Sequence, residues 1–177
     1  DVGAGGQADV GVRGAHRAIV ARASAPRADL LYSRRMDMPP PYAPLRPGLA
    51  RRLPVRNVHY QLREWGGAAL EAPGRPLLVL THGWMDVGAS YQFIVDELAR
   101  LEGPVRHVVA LDWRGFGGSG GGGADAFWFA DYLGDLDAVL DALSPGAPVD
   151  LVGHSMGGNV TMTYAGVRPA RVRRLAN

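Results

Sequence analysis

Gly153-His154-Ser155-Met156-Gly157-Gly158 is the segment of this sequence best suited to covalent chemistry. It fits the pattern G-x-S-x-G, with a short apolar run before it and a helical pattern after it. A serine at the apex of a very tight strand-to-helix turn holds its Oγ clear of the sheet, in strained backbone geometry. The residues two before and two after it then crowd the neighbouring chain, and Gly153 and Gly157 supply the room. The same turn puts the Met156 N–H at a helix N-terminus, aimed at an oxyanion forming on an attacked carbonyl. His154 adjoins the serine, but consecutive side chains on such a turn diverge, so it is read as support and not as a base.

Two further segments end apolar runs. In His82-Gly83-Trp84 the glycine lets the backbone approach a neighbour or a substrate closely, although a strand-ending turn with a packed indole fits the same residues. In Asp112-Trp113-Arg114-Gly115-Phe116-Gly117-Gly118-Ser119 the aspartate is read as an anchoring carboxylate that orders the loop after it. Residues 115–120 also satisfy G-x-G-x-x-G. More glycine follows them, no helix does, and no βαβ unit opens there, which argues against dinucleotide binding.

The elements that position these residues follow from periodicity. Residues 55–60 and 61–65 alternate roughly apolar and polar and are expected to form an antiparallel pair, broken by Gly66-Gly67. Residues 77–80, 108–111 and 149–152 are short continuous apolar runs, as strands buried on both faces require. Tyr91, Ile94, Val95, Leu98 and Leu101 recur at helical spacing. Residues 127–143 form the clearest helix, with Phe129, Tyr132, Leu133, Leu136, Val139, Leu140 and Leu143 on one face. Asp131, Asp135, Asp137 and Asp141 fall largely outside that stripe, and Pro145 and Pro148 close the helix. A last helix covers residues 156–164, limited by Pro169. Strands alternating with helices argue for an α/β architecture: a mostly parallel sheet entered through an antiparallel hairpin, with flanking helices. The sequence stops at Asn177, where a further strand is due.

Composition narrows the function. The 177 residues suffice for one domain with a real core, and 47% apolar with 20% charged residues is a globular balance. The absence of cysteine excludes disulfides and thiolate metal sites. All 19 basic residues are Arg; residues 1–52 hold nine of them against four Asp, so the positive charge sits at the N-terminal end. Scattered Arg without periodicity is not the basic stripe that nucleic acid requires, so no nucleic-acid partner is expected. No run of about 18 apolar residues would span a membrane. No apolar h-region marks a secretory signal, and a cytoplasmic protein is expected. Residues 1–48, rich in Gly, Ala, Arg and Pro, read as a disordered extension, with Met36 or Met38 a fitting start of translation. Residues 49–177 read as the folded part.

Taken in order, the hairpin, H-G-W, D-x-R-G-x-G-x-S and the G-H-S-M-G turn resemble the α/β-hydrolase fold superfamily, in its single-domain serine esterase-like branch. The resemblance covers roughly residues 53–177. It implies a hydrolase of carboxylic esters or similar small acyl compounds, without cofactor or metal. Ser155 would be the nucleophile, and the N–H groups of Trp84 and Met156 would form the oxyanion hole. His82, Gly83, Asp112, Gly153, His154 and Gly157 would support the loops. Relatives such as epoxide hydrolases and haloalkane dehalogenases use an aspartate nucleophile, and Ser155 argues against both chemistries. Cofactor-free haloperoxidation or acyl transfer could use the same serine. In the family the triad runs Ser, then Asp or Glu, then His. The 22 residues after Ser155 contain none of the three. The chain is therefore expected to be the first part of such a domain, inactive alone, or else a non-catalytic, interaction-type descendant. The strand carrying Ser155 is expected to present an open apolar edge, making the isolated chain poorly soluble. The sequence leaves the oligomeric state open.

Overall fold

A computed structural model describes residues 40–71, 75–102, 106–121 and 126–177. Tyr42–Asn177 form one compact unit, and residues 1–39 of the N-terminal extension lie outside the described residues. Strands β1 (Leu49–Val55) and β2 (Val58–Trp65) make the antiparallel hairpin, in register from Leu49 opposite Glu64 to Val55 opposite Val58. The hairpin differs from the sequence expectation: β1 begins at Leu49, and the turn falls at Arg56-Asn57. No glycine marks this turn. Arg56 itself takes φ 52°, a left-handed conformation that side chains other than Gly, Asn and Asp seldom adopt.

Four short strands follow: β3 (Leu78–Thr81), β4 (Val108–Leu111), β5 (Val149–Gly153) and β6 (Val172–Ala176). Every residue of β3 and β4 is buried, which explains their unbroken apolar sequences. The strand order is β1-β2-β4-β3-β5-β6. The last four strands are mutually parallel, and β2 meets β4 antiparallel. Helix α1 (Gln92–Glu102) links β3 to β4 and covers one face, where Trp65, Leu78, Leu80, Tyr91, Val95 and Val108 cluster. Helices α2 (Phe129–Leu143) and α3 (Met156–Val167) cover the other, where Tyr132, Leu136, Leu140, Val160 and Tyr164 meet Val79, Val109 and Leu151. From β3 the chain moves one way to β4, then returns past β3 to β5. The order reverses between β3 and β5, and in open α/β sheets the crevice at such a switch point is where ligands bind.

Two expectations change. The strand due at the end of the sequence is β6, which pairs along β5, so the strand leading to Ser155 is not an edge. Among the described strands the edges are β1 and β6, and β6 is blunted by charge: Arg174 is exposed, and Arg173 donates from Nε to Asp150 at 2.8 Å. Residues 42–48, read as part of the extension, are ordered against α1. The buried Asp96 carboxylate accepts from the Tyr42 hydroxyl, from Leu45 N at 3.0 Å and from Arg46 N at 3.2 Å. The Tyr42 and Phe93 rings pack 4.5 Å apart.

The central strands carry the stability. Leu151→Ala, which empties a fully packed site, should cost about 2–5 kcal/mol. The urea midpoint should fall with an unchanged slope, and an unmoved midpoint would show that this core does not hold the fold.

Candidate active site

Ser155 stands at the junction of β5 and α3 with φ 52° and ψ −114°. That backbone is strained for any residue with a Cβ, and it leaves the serine exposed at the helix N-terminus. Close packing holds it there. A Cβ on Gly153 would lie 2.5 Å from Thr161 Oγ1 and 2.6 Å from Gly158 Cα. A Cβ on Gly157 would lie 2.4 Å from the Thr81 carbonyl oxygen and 2.7 Å from that of His82. The first turn of α3 therefore rests directly on the end of β3. His154 N donates to Thr81 O at 3.0 Å, and Gly157 N donates to His154 O at 2.9 Å. Met156 N begins the helix beside the serine, where partial positive charge concentrates.

The loop after β3 closes on the same point. A Cβ on Gly83 would lie 2.9 Å from His154 Nδ1 and 3.2 Å from Ser155 Cβ, so the peptide leading to Trp84 runs past the serine. His82 is fully buried, and its ring is satisfied on both sides. Nε2 accepts from Trp113 N at 2.9 Å, so Nδ1 carries the proton and donates to Gly83 O at 2.7 Å. The Trp113 indole N–H donates to His82 O at 2.9 Å. Burial pushes the His82 pKa below its ordinary value, and this neutral ring faces the loops, not the serine hydroxyl.

Asp112 uses both carboxylate oxygens on backbone. Oδ1 accepts from Gly88 N at 2.7 Å and Oδ2 from Gly118 N at 2.8 Å. Ser119 Oγ donates to Asp112 O and accepts from Gln61 N. The glycine segment thus folds back onto the hairpin, where Gly120 pairs with His59. Among the described residues it opens no helix that could receive a pyrophosphate.

Trp84 is 65% exposed. Its ring meets Phe116 edge-on at 5.1 Å, and Phe116 also packs on His82. Phe127 covers Gly115, where a Cβ would touch its ring at 2.7 Å. Phe127 and Trp128 are exposed as well, while Phe116 is half-buried and packs against the core. A cavity of about 240 Å³ is lined by Asp86, Ser90, Tyr91, Ile94, Val152 and His154, the last of these adjoining Ser155 in the chain.

No histidine ring is hydrogen-bonded to Ser155 among the described residues. His107 is buried between Glu64 and Glu71, His59 lies in the hairpin, and His16 falls outside the described residues. No cluster of three metal-ligating acidic, Cys or His side chains occurs among the described residues. None of their helices is long and apolar enough to cross a membrane. Sequence reasoning missed one feature. Asp135, placed outside the apolar stripe of α2, is fully buried and paired with Arg114 of the Asp112 loop, Nε to Oδ2 at 2.7 Å. The spacing of Asp135 from Leu136 and Val139 gives no sign of this, because its partner lies 21 residues away.

The sequence profile of the α/β hydrolase fold matches residues 76–177, more than half of the chain. The chain belongs to the α/β hydrolase fold family. A serine hydrolase-like protein of Danio rerio is 32% identical over 122 residues, 68% of this chain and 34% of that protein. The 2-hydroxymuconate semialdehyde hydrolase of Pseudomonas sp. (strain CF600) is 33% identical over 73% of this chain and 42% of its own length. Among solved structures, the thioesterase domain from the curacin biosynthetic pathway superposes with a TM-score of 0.60 at 28% identity, covering 72% of this α/β hydrolase chain and 43% of that one. Epoxide hydrolase A from Mycobacterium thermoresistibile gives 0.59 at 29% identity, covering 72% and 38%. The chain thus spans roughly two-fifths of these α/β hydrolase relatives or less.

Two outcomes follow from the site's packing. Gly157→Ala should cost about 1–3 kcal/mol or more, because backbone oxygen and not a flexible side chain meets the new methyl group. A thermal melt unchanged by this substitution would contradict the close approach of α3 to β3. The buried, neutral His82 takes up a proton more readily unfolded than folded, so its contribution is fully present above the ordinary value of 6.5 and is lost as pH falls below it. Urea titrations between pH 7 and 5 should show this slope, and His82→Gln should flatten it.

Proposed function

We propose that this chain is the nucleophile-bearing part of a serine hydrolase that cleaves carboxylic esters or related acyl compounds. One observation carries the reading: an exposed serine in strained geometry at a helix N-terminus, with the Gly83 backbone pressed against it. Ser155 Oγ attacks the substrate carbonyl carbon and forms the acyl–oxygen bond. The Met156 and Trp84 N–H groups receive the oxyanion, each such donor being worth about 10²–10³ in rate. The alcohol or thiol leaves as the carbonyl re-forms, and water then releases the acyl group.

Serine needs a base to take its proton, and none of the described histidines reaches it. In a protein of its relatives' full length a histidine and its carboxylate would come from the part of the fold that this chain does not span, since it covers about two-fifths of those relatives or less. The exposed rings of Trp84 and Phe127, with the half-buried Phe116 against Trp84, favour an apolar acyl group over a charged one. Acyl transfer to an acceptor other than water would use the same groups. Asp112 and His82 hold the loops and take no part in the bond-making steps.

A fluorophosphonate and p-nitrophenyl acetate test this reading. The 177-residue chain should turn over the ester barely above background, since losing the base costs on the order of 10⁶ in kcat. A form extended to the full length of its relatives should be labelled at Ser155, and Ser155→Ala should abolish both labelling and turnover. Labelling at another residue, or turnover indifferent to Ser155→Ala, would overturn the assignment.

A further inference from the structure

We infer that the buried pair Arg114–Asp135 is a positioning device that sets the His82-Gly83-Trp84 loop against Ser155; its link to an oxyanion hole rests on the function proposed above. Asp135 is fully buried on α2, and its carboxylate accepts four hydrogen bonds. Arg114 donates two, from Nε to Oδ2 at 2.7 Å and from Nη2 to Oδ1 at 2.9 Å. Tyr60 Oη donates at 2.7 Å and Arg56 Nη1 at 3.0 Å. The same guanidinium reaches Ala126 O at 3.0 Å and Asn57 Oδ1 at 3.3 Å. One planar group thereby ties together the hairpin, the segment entering α2, and α2 itself.

The path from this pair to the serine is short and made of directional contacts. Trp113, adjacent to Arg114, holds His82 twice: its backbone N–H meets the ring, and its indole N–H meets the His82 carbonyl. His82 in turn donates to Gly83 O, and Gly83 lies against Ser155. Phe116, two residues on from Arg114, packs edge-on against both Trp84 and His82. The Trp113 ring also rests on Tyr132 of α2, one turn before Asp135. A shift of Arg114 along its own side chain is thus passed to residues 82–84 through bonds that fix direction as well as distance.

Stability alone does not call for such a pair. A buried ion pair recovers roughly what its desolvation costs, and apolar side chains of like volume often serve as well. What a bidentate arginine–carboxylate contact adds is a fixed angle between two planar groups. Here that angle sets a loop on one side of the crevice relative to a helix that crosses beneath it.

Amide hydrogen exchange on three proteins tests the assignment: the parent chain, Asp135→Asn, and the double variant Arg114→Met with Asp135→Leu, which replaces the pair by apolar side chains. In the double variant the strand amides of Val79, Val109 and Leu151 should keep their protection. Those of residues 82–85 and the Trp113 indole N–H should exchange about tenfold faster or more, as in local opening. Asp135→Asn should show the same selectivity if it folds. The assignment is overturned if loop and strand amides respond alike, if neither responds, or if the double variant fails to fold, which would make the pair a support of the whole domain. None of these readouts depends on Ser155 chemistry. A loop that loosens here, together with a full-length form whose serine never reacts with a fluorophosphonate, would remove the proposed function and leave the positioning role intact.

Discussion

The first turn of α3 lies so close to the end of β3 that no methyl group fits between them. A Cβ at Gly157 would sit 2.4 Å from the Thr81 carbonyl oxygen, inside any van der Waals contact. That closeness forces the chain between Gly153 and Gly157 into its tight turn, and the turn in turn forces Ser155 to φ 52°. It also brings the β3 loop within reach of the serine, because Gly83 is two residues beyond Thr81. The strained serine, its exposure and the adjacent backbone N–H groups are consequences of one helix packed on one strand end. The apolar bulk beneath supplies the free energy that holds the strain in place.

Polar groups do the finer placement. His82, Asp112 and Asp135 are all buried, and each spends its hydrogen-bonding capacity on loops near the carboxyl ends of the strands. Asp112 gathers Gly88 and Gly118, one from each of the two loops that follow β3 and β4. The sheet therefore offers a rigid lower half, packed by aliphatic side chains, and an upper rim stitched by charge and hydrogen bonds.

What could be read in advance follows the same division. Strands β3, β4 and β5 were legible because burial on both faces demands unbroken apolar runs, and α2 because its apolar face repeats at helical spacing. The turn at Ser155 was legible because close backbone contact leaves glycine as the tolerable residue on either side. The hairpin turn was not, since Arg56 occupies a conformation that usually announces itself as glycine or asparagine. The sequence of β6 gave little signal because Arg173 and Arg174 interrupt it, their charges being tolerable on an edge. Residues 42–48 carry no legible pattern for a related reason: they are held by Asp96 and Gln92 of α1 through hydrogen bonds, which leave no periodic trace. Asp135 shows the limit most plainly. A buried charge looks like a surface charge until the partner from another loop is seen.

The four tryptophans divide in a way that has practical value. Trp65 and Trp113 are sealed in the two separate cores, one on each face of the sheet, while Trp84 and Trp128 stand in solvent on the rim. Native emission is therefore a sum of two populations that a collisional quencher can separate. The shielded pair reports on whether the two cores are intact. The accessible pair, with Trp84 directly after the Gly83 that lies against Ser155, reports on changes at the solvent-facing side, so loop and core can be followed in one cuvette without attaching a dye.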